Sequence, residues 1–179
     1  MTERYSVERF CAERREDFYR AHGDWCFCVA WHVPTWDGWG DRTAEQNRGL
    51  RERLCDSGEY DGYLLYDGDE PVGWCQVGPR DRLAKLRTQF ALEPAPENWA
   101  ITCFQIHPDH RRRGCARRLL TAVLADLRAR GVACVEAFPK RGPDLDVDDL
   151  WNGPEAMFLA AGFTVTRDDD ARPVLIIEL

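Results

Sequence analysis

A strand, a turn and a helix follow one another over Trp99–Gly131, and this succession constrains the fold more than any other part of the sequence. Residues 101–106 carry only two polar side chains, which predicts a strand with little water on either face. Pro108 has no amide hydrogen for a sheet ladder, so the strand ends just before it. An amphipathic helix that ends at Gly131 is predicted next. Its apolar residues recur at the spacing of one helical face: Ala116, Leu119, Leu120, Val123, Leu124 and Leu127.

The turn between this strand and helix has the composition of an anion site. Three consecutive arginines, Arg111–Arg113, precede small residues at Gly114 and Ala116. Small residues let backbone N–H groups approach a ligand closely, and the start of the helix adds unpaired donors and partial positive charge. We therefore predict a phosphate or pyrophosphate site here. An ordinary strand-to-helix turn with a solvated basic rim stays open as the alternative.

The same residues resemble the coenzyme A motif of the GCN5-related N-acetyltransferases, the GNAT family. The family motif is Gln or Arg, two residues, Gly, one residue, and Gly or Ala, and Arg111, Gly114 and Ala116 occupy these positions. The place of the motif between a buried strand and an amphipathic helix makes the match more specific. The resemblance implies that backbone groups of this turn hold the pyrophosphate of acetyl-CoA. It also implies that the main chain of Phe104 and Ile106 pairs with the pantetheine arm.

A second part of the resemblance lies further along the chain. The family often places an Asn ten residues before a Gly-Phe pair, and a Tyr four residues before that Gly. Asn152, Gly162 and Phe163 match, whereas Phe158 stands where the Tyr would be. The resemblance covers about residues 60–178. The residues that it implies to bind coenzyme A are Phe104, Ile106, Arg111, Arg112, Arg113, Gly114, Cys115, Ala116, Arg117, Asn152 and Phe158.

The patterns along the chain and the resemblance together predict the fold class. We expect one α/β domain over residues 1–179, with a mixed, largely antiparallel twisted sheet of about seven strands, flanking helices and a splayed central strand. Residues 1–60 are expected to be a helical, aromatic- and Cys-rich acceptor side, and residues 61–179 the acyl-CoA-binding core. The other expected elements are helices at 8–21, 42–56 and Pro154–Ala161, a hairpin of Tyr63–Tyr66 with Val72–Val77, and strands at Ala133–Phe138, Phe163–Thr166 and Val174–Glu178.

Composition and charge narrow the class of protein. The 179 residues are 44% hydrophobic and 31% charged, which is typical of a folded globular chain. A net charge of −7 argues against non-specific nucleic-acid binding. No apolar run approaches membrane-spanning length, and the first residues carry no signal-peptide core, so we expect a cytoplasmic protein. Its eight cysteines are then expected to be reduced thiols.

The segment from His22 to Trp39 is rich in aromatic, cysteine and histidine residues. One interpretation is a zinc site of His22, Cys26, Cys28 and His32, but this spacing matches no common zinc motif and we expect no metal. A second interpretation places tryptophans in the wall of an acceptor pocket, where they hold an apolar body or face a cation. A third is an aromatic core loop, and these last two stay open. The tryptophans concerned are Trp25, Trp31, Trp36 and Trp39.

Acetyl transfer to an amine needs a held thioester, a deprotonated amine and donors for the charge that develops on the carbonyl oxygen. Backbone N–H groups at the end of the central strand can supply those donors. The first candidate for the base is Glu136, a carboxylate within an apolar strand, and His107 beside the turn is the second. The structural alternatives are an arginine partner role for Glu136 and a capping role for His107.

Phe158 lacks the hydroxyl that the family commonly uses to protonate the leaving thiolate. Tyr63, Tyr66 or a water could replace it, or the thiolate leaves unassisted, because a thiol pKa near ~8.5 makes it a tolerable leaving group. Cys103 and Cys115 could carry an acyl group. A buried thiol with no neighbouring His or Lys is usually inert, however, and the sequence places none beside them.

The function predicted from the sequence is transfer of an acetyl group from acetyl-CoA to a primary amine, by direct attack in a ternary complex. The acceptor, a small-molecule amine or a peptide, is not specified, and neither is the oligomeric state, although homodimers are common in the family. We expect no nucleic-acid and no membrane partner. A non-catalytic acyl-CoA-binding or regulatory module stays open as the alternative. A nucleotide-phosphate protein is disfavoured, because the chain lacks the Gly-Lys-Ser/Thr of a P-loop.

Overall fold

The computed structural model describes residues 4–23 and 25–179, which form one sheet flanked by helices. The strands are β1 Tyr5–Arg9, β2 Gly62–Asp67, β3 Glu70–Pro79, β4 Asn98–Ile106, β5 Cys134–Ala137, β6 Thr164–Arg167 and β7 Val174–Glu178. The helices are α1 Arg15–Ala21, α2 Ala44–Asp56, α3 Ala84–Gln89, α4 Cys115–Ala129 and α5 Glu155–Ala160. None of these helices combines the length and the apolar content that crossing a membrane would take.

The seven strands lie in the order β1-β2-β3-β4-β5-β7-β6. Every neighbouring pair is antiparallel except β4 with β5, which confirms the predicted mixed, largely antiparallel sheet. Successive side chains point to opposite faces, so Leu65 and Cys75 pack on the α4 side and Leu64 and Trp74 on the α1 side. The sheet is therefore covered on both faces.

The sheet opens at β4. This strand pairs with β5 only from Asn98 to Ile101, opposite Cys134–Ala137, and then continues to Ile106 without it. In the ladder with β3 the register shifts at Thr102, and such a bulge bends the strand at the same place. The predicted splayed central strand is confirmed, and the open space beside it is where the candidate site lies.

Helix α4 anchors one face of the sheet. Its buried residues are Cys115, Leu119, Leu120, Val123, Leu124 and Leu127, which is the predicted stripe with Cys115 in the place of Ala116. Burial of a Leu or Val side chain contributes about 1.5–3 kcal/mol, so this stripe holds the helix firmly. The helix ends at the predicted position, where Gly131 has φ +79° and the amide of Val132 donates to Leu127 O.

The first elements differ from the predicted helix at residues 8–21. Tyr5–Arg9 is an edge strand that pairs antiparallel with β2, and α1 begins only at Arg15. Tyr5 and Val7 are half-buried while Ser6 and Glu8 are exposed, which is the alternation of a strand. Residues 1–60 are therefore not only helical. The prediction was wrong there because pairing with β2, more than 50 residues away, decides the local structure.

Helix α2 joins the first part of the chain to the sheet. It starts with a capping box, in which Thr43 accepts from the Gln46 amide and the Gln46 side chain accepts from the Thr43 amide. Its Arg51 is fully buried, and the guanidinium carbon lies 3.5 Å from the ring centroid of Phe18 and 4.8 Å from that of Phe10. These cation–π contacts fasten α2 to the aromatic core beneath β2 and β3.

Candidate active site

The turn before α4 is shaped by two residues with positive φ. Arg112 has φ +57°, and Gly114, with φ +79°, is the N-cap of the helix. The first helical bond runs from Arg118 N to Gly114 O, so the amides of the first turn lie outside the helical ladder. A Cβ on Gly114 would meet no described atom within 4 Å. The turn thus offers backbone donors with open space in front of them.

A cavity of about 330 Å³ lies against this turn. The wall opposite the turn comes from α5 and the residue after it, with the small or flexible side chains of Met157, Ala160 and Ala161. Arg113 is exposed beside the cavity. Seven of the residues implied for coenzyme A binding line it: Ile106, Arg111, Arg112, Gly114, Cys115, Ala116 and Arg117.

A larger cavity of about 750 Å³ continues from the first. Ile106, Arg111 and Ala116 line both cavities, so the two form one groove along the open side of β4. At the far end, the rings of Trp25 and Trp31 contribute to the wall. The groove therefore joins a cationic, donor-rich end to an aromatic end.

The other two tryptophans of the His22–Trp39 segment do not line the groove. Trp36 and Trp39 instead enclose the ammonium of Lys85, whose Nζ lies 3.2 Å and 5.0 Å from their ring centroids. Of the two interpretations left open for the tryptophans, the pocket wall therefore fits Trp25 and Trp31. The core-loop interpretation fits Trp31 as well, which is 2% exposed, and the half-buried Trp39, but not Trp36, which is 41% exposed.

The main-chain groups of Phe104 and Ile106 face the open side of β4. His107 N donates to β3, and alternate residues of an antiparallel strand turn away from that partner. The Phe104 amide donates there to Trp151 O at 2.7 Å, and Ile106 O accepts from Arg111 Nε at 2.8 Å. Pairing of these groups with a pantetheine arm stays a prediction, and for Phe104 it requires Trp151 to give way.

Glu136, the first candidate base, does not reach the groove. Its side chain is buried, and its carboxylate accepts from Arg80 Nη1 at 3.2 Å and from Asn98 Nδ2 at 2.7 Å. Arg80 is buried as well, and it also pairs with Asp81. This geometry fits the arginine-partner alternative, because a buried carboxylate needs a counter-charge, and the catalytic role of Glu136 stays a prediction.

His107, the second candidate, also lies outside both cavities. Its side chain is half exposed, and its Nδ1 accepts from the amide of Asp109 at 3.4 Å. It stands at the start of the 3₁₀ turn Pro108–His110. This geometry fits the capping alternative, and the catalytic role of His107 stays a prediction.

Asn152 and Phe158 are fully buried and line neither cavity. Asn152 Nδ2 donates to Phe138 O at 3.0 Å, which ties the loop before α5 to the end of β5. The Phe158 ring packs against Phe163 and over Gly153. In this structure both residues act in packing, and neither contacts the groove as the resemblance implied.

The two tyrosines considered as acids are engaged elsewhere. The Tyr63 hydroxyl donates to Asp126 Oδ2, and the Tyr66 hydroxyl donates to Asp17 Oδ2. Burial, together with these acidic partners, raises the pKa of both hydroxyls. Neither lines the groove, so neither is placed to protonate a leaving thiolate.

Cys26 and Cys28, two of the four residues of the zinc interpretation, lie in a turn over residues 25–28. Phe27 and Cys28 both have positive φ, at +47° and +52°. Both cysteines line the larger cavity, whereas His32 bonds to Gln76 at 3.1 Å. The four residues of the sequence-based zinc interpretation are therefore not brought together.

A cluster missed by the sequence reasoning lies on the wall of the larger cavity. Cys28 Sγ is 2.9 Å from His22 Nε2 and 2.7 Å from Cys103 Sγ. The hydrogen bond from the Cys28 thiol lowers the pKa of Cys103, whereas burial raises the pKa of Cys28. Cys103 thus has a neighbouring His after all. Only the fold could reveal this, because His22 and Cys103 are far apart in the sequence.

The chain belongs to the GNAT acetyltransferase family. The model of the acetyltransferase (GNAT) family matches residues 11–146, well over half of the sequence. The match includes the turn before α4 and ends before Asn152 and Phe158. The resemblance seen in the sequence is thereby confirmed, and it is a family that uses acetyl-CoA for acetyl transfer. Among curated protein sequences, none matches this chain significantly.

Solved structures of acetyltransferases share the fold. A GNAT-family protein from Desulfovibrio desulfuricans superposes with a TM-score of 0.60 at 15% identity, over 97% of this chain and 98% of the other. An acetyltransferase from Thermus thermophilus gives 0.58 at 19% identity, over 98% and 97%. The PaiA N-acetyltransferase from Thermoplasma acidophilum, solved in complex with coenzyme A, gives 0.54 at 10% identity, over 98% and 99%. At such identities the likeness concerns the fold.

Proposed function

We propose that this protein is an N-acetyltransferase that transfers an acetyl group from acetyl-CoA to a primary amine by direct attack in a ternary complex. The observation that carries the proposal is the continuity of the groove, because Ile106, Arg111 and Ala116 line both of its cavities. A donor held at the turn and an acceptor held at the aromatic end would share one space. Direct attack needs such a space, since the amine must come within about 3–3.5 Å of the thioester carbon.

The donor end of the proposal rests on the N-terminus of α4. Pyrophosphate oxygens would accept from the amides of its first turn, with the guanidinium groups of Arg112 and Arg117 beside them. The helix is 15 residues long, so its dipole adds partial positive charge at this end. The pantetheine arm would then extend along β4 past Ile106 into the larger cavity.

The acceptor end suits a cationic amine attached to an apolar or aromatic body. Trp25, Trp31 and Trp151 line the larger cavity, and Asp148 adds a carboxylate to the same wall. Aromatic faces and a carboxylate both attract an ammonium group. The net charge of −7 also favours the approach of cations.

The chemistry would use the groups that the groove contains. Backbone N–H groups at the end of β4 would stabilise the developing oxyanion. Among the described residues of the cavity wall, Asp148 is the carboxylate able to take the amine's proton, directly or through a water. With Phe158 buried away from the groove, the thiolate would leave without a side-chain acid, which a thiol pKa near ~8.5 permits.

The proposal is tested by thiol release from acetyl-CoA in the presence of a panel of primary amines. We expect release that depends on the amine and saturates with it. Asp148→Asn should lower kcat/KM by about 10- to 100-fold, because the variant loses the carboxylate of the wall. Asp144→Asn, on the same loop and outside the cavity wall, is the matched control and should leave it unchanged. The proposal fails if no amine raises thiol release above hydrolysis.

A second candidate function is a non-catalytic acyl-CoA-binding module. It is favoured by one observation, that Glu136 and His107 lie outside the groove. Such a module would bind acetyl-CoA, yet release no thiol with any amine. The thiol assay and a binding measurement together therefore separate the two functions.

A further inference from the structure

Three potential metal ligands converge on the wall of the larger cavity from three separate segments. His22 follows α1, Cys28 lies in the turn after it, and Cys103 is on β4. Their ligand atoms all lie within 4.8 Å of one another. Within the described ranges, 4–23 and 25–179, this is the one group of three or more His, Cys, Asp or Glu side chains placed in this way.

We propose that His22, Cys28 and Cys103 form a zinc site with one imidazole and two thiolate ligands. Nitrogen and sulfur are the donors that zinc prefers in proteins, at about 2.0 Å and about 2.3 Å. Two thiolates around a tetrahedral zinc ion lie about 3.7 Å apart. The sulfur atoms of Cys28 and Cys103, now 2.7 Å apart, would therefore separate by about 1 Å to admit the ion.

The orientation of His22 supports this proposal. Its Nδ1 is 2.6 Å from Gly23 O, and its ring stacks on Phe18 with centroids 5.0 Å apart and an interplanar angle of 12°. The remaining nitrogen, Nε2, points at Cys28 Sγ from 2.9 Å. A histidine that binds a metal commonly donates its other N–H to a backbone carbonyl, which fixes the tautomer and the ring. His22 has this arrangement already.

The backbone that carries Cys28 is strained. Phe27 and Cys28 are non-glycine residues with φ +47° and +52°, and the Phe27 carbonyl is held by the Tyr60 hydroxyl at 3.2 Å. Each such residue costs on the order of 1–3 kcal/mol, and strain of this kind gathers at functional sites. In this conformation the Cys28 thiol lies against Cys103.

The cavity supplies room for a fourth ligand. All three residues line the larger cavity, so the side of the cluster that the protein leaves open faces that space. Three protein ligands and one open position are typical of catalytic rather than structural zinc sites. A water or an atom of the acceptor could complete the coordination. The proposal thus goes beyond acetyl transfer, and metal binding does not depend on it.

The same two sulfur atoms could instead form a redox pair. Oxidation of Cys28 and Cys103 to a disulfide would use both thiols, but it would give His22 Nε2 no role. A zinc ion would use all three side chains. The arrangement therefore favours the metal, and the disulfide is one outcome of the test below.

The test uses the full chain, reduced, stripped with a chelator and titrated with Zn²⁺ alone. We expect one zinc ion per chain. Cys28→Ser and Cys103→Ser should each weaken binding by at least about 100-fold, since each removes a ligand. Cys26→Ser is the matched control, because Cys26 lines the same cavity outside the cluster, and it should bind zinc as the wild type does.

A second measurement does not depend on how well the variants fold. Co²⁺ bound to the wild-type chain should give a thiolate-to-cobalt charge-transfer band and the strong visible bands of tetrahedral coordination. The zinc proposal is overturned if the wild type, reduced at the start of the titration, binds no Zn²⁺. This holds whether its thiols stay free or are found afterwards as a Cys28–Cys103 disulfide. Unchanged zinc affinity in folded Cys28→Ser and Cys103→Ser would overturn it equally. Because metal binding is the readout, failure of acetyl transfer leaves the result intact.

Discussion

At the scale of single residues, charges buried outside the groove are part of the packing. Arg80 and Glu136 form a buried ion pair, and Asn98 donates a further hydrogen bond to the same carboxylate. Lys85 is buried among tryptophans. The ion pair gives each of two buried charges a partner, whereas the Lys85 ammonium is buried with no hydrogen-bond partner among the described residues. The buried charges of Glu136 and Lys85 each give a prediction about the stability of the protein.

Glu136→Gln should destabilise the protein and leave the pH dependence of kcat/KM unchanged. The variant leaves Arg80 buried with only Asp81 as a counter-charge, so we expect the free energy of unfolding to fall by about 2–4 kcal/mol in urea denaturation. Glu178→Gln, exposed on the neighbouring strand β7, is the control and should change it by less than about 0.5 kcal/mol. A stable Glu136→Gln variant with a shifted pH dependence of kcat/KM would instead restore Glu136 as the base.

Lys85 should make stability depend on pH in the alkaline range. Burial lowers the pKa of its ammonium to about 8, whereas the unfolded chain keeps a value near ~10.4. Between these values the unfolded state holds a proton that the folded state has released, so the wild type gains stability as the pH rises.

The comparison variant for this prediction is Lys85→Met. The wild type should gain about 2 kcal/mol relative to it between pH 8 and pH 10, as measured by urea denaturation at each pH. A stability difference that is constant over this range would show that the amine titrates normally and contradict the prediction.

At the scale of elements, the segment before α5 occupies a backbone donor of β4 that the pantetheine arm is expected to use. The Phe104 amide, which the pantetheine arm is expected to use, donates to Trp151 O. The carbonyl lies in the gap that opens where β4 leaves β5. Pairing of the pantetheine arm with Phe104 would therefore require an exchange of hydrogen-bond partners at this amide.

Hydrogen–deuterium exchange should detect this exchange of partners. Saturating acetyl-CoA should slow exchange of residues 112–118, because the pyrophosphate would cover the first turn of α4. It should speed exchange of residues 147–153, because release of Trp151 O from the Phe104 amide would free this segment from β4 and make opening of its own turn bonds easier. Helix α2, which lines neither cavity, serves as the internal control. If acetyl-CoA binds and residues 147–153 do not change, the pantetheine arm does not displace Trp151.

At the scale of the whole molecule, the central stretch could be predicted because its signals are local. The apolar run, Pro108, the helical stripe and Gly131 lie within Trp99–Gly131, and the β2–β3 hairpin is likewise fixed by neighbouring residues. The motif at Arg111–Ala116 identified the family for the same reason, since its residues are close together in the sequence. The position of the turn before α4, with Gly114 in it, could therefore be predicted from the sequence alone.

The rest could not be predicted, because it depends on residues far apart in the chain. The same apolar strand with one carboxylate fits a catalytic base or an ion pair, and only the position of Arg80, 56 residues before Glu136, decides between them. The pairing of β1 with β2 and the contact of Cys28 with Cys103 likewise depend on residues that are far apart in the sequence. The groove is assembled from segments around residues 22–31, 103–116 and 147–154. Neither composition nor periodicity connects such segments.

The most direct test of the central claim is a calorimetric titration with acetyl-CoA of the wild type, Gly114→Glu and Gly131→Glu. Both glycines have φ +79°, neither added Cβ would meet a described atom within 4 Å, and they lie at opposite ends of α4. The backbone strain is therefore matched between the two variants, and only Gly114→Glu adds a carboxylate to the turn before α4. We expect saturable binding to the wild type and to Gly131→Glu, and a loss of at least about 100-fold for Gly114→Glu. Absence of binding to the wild type, or equal binding to both variants, would contradict the account.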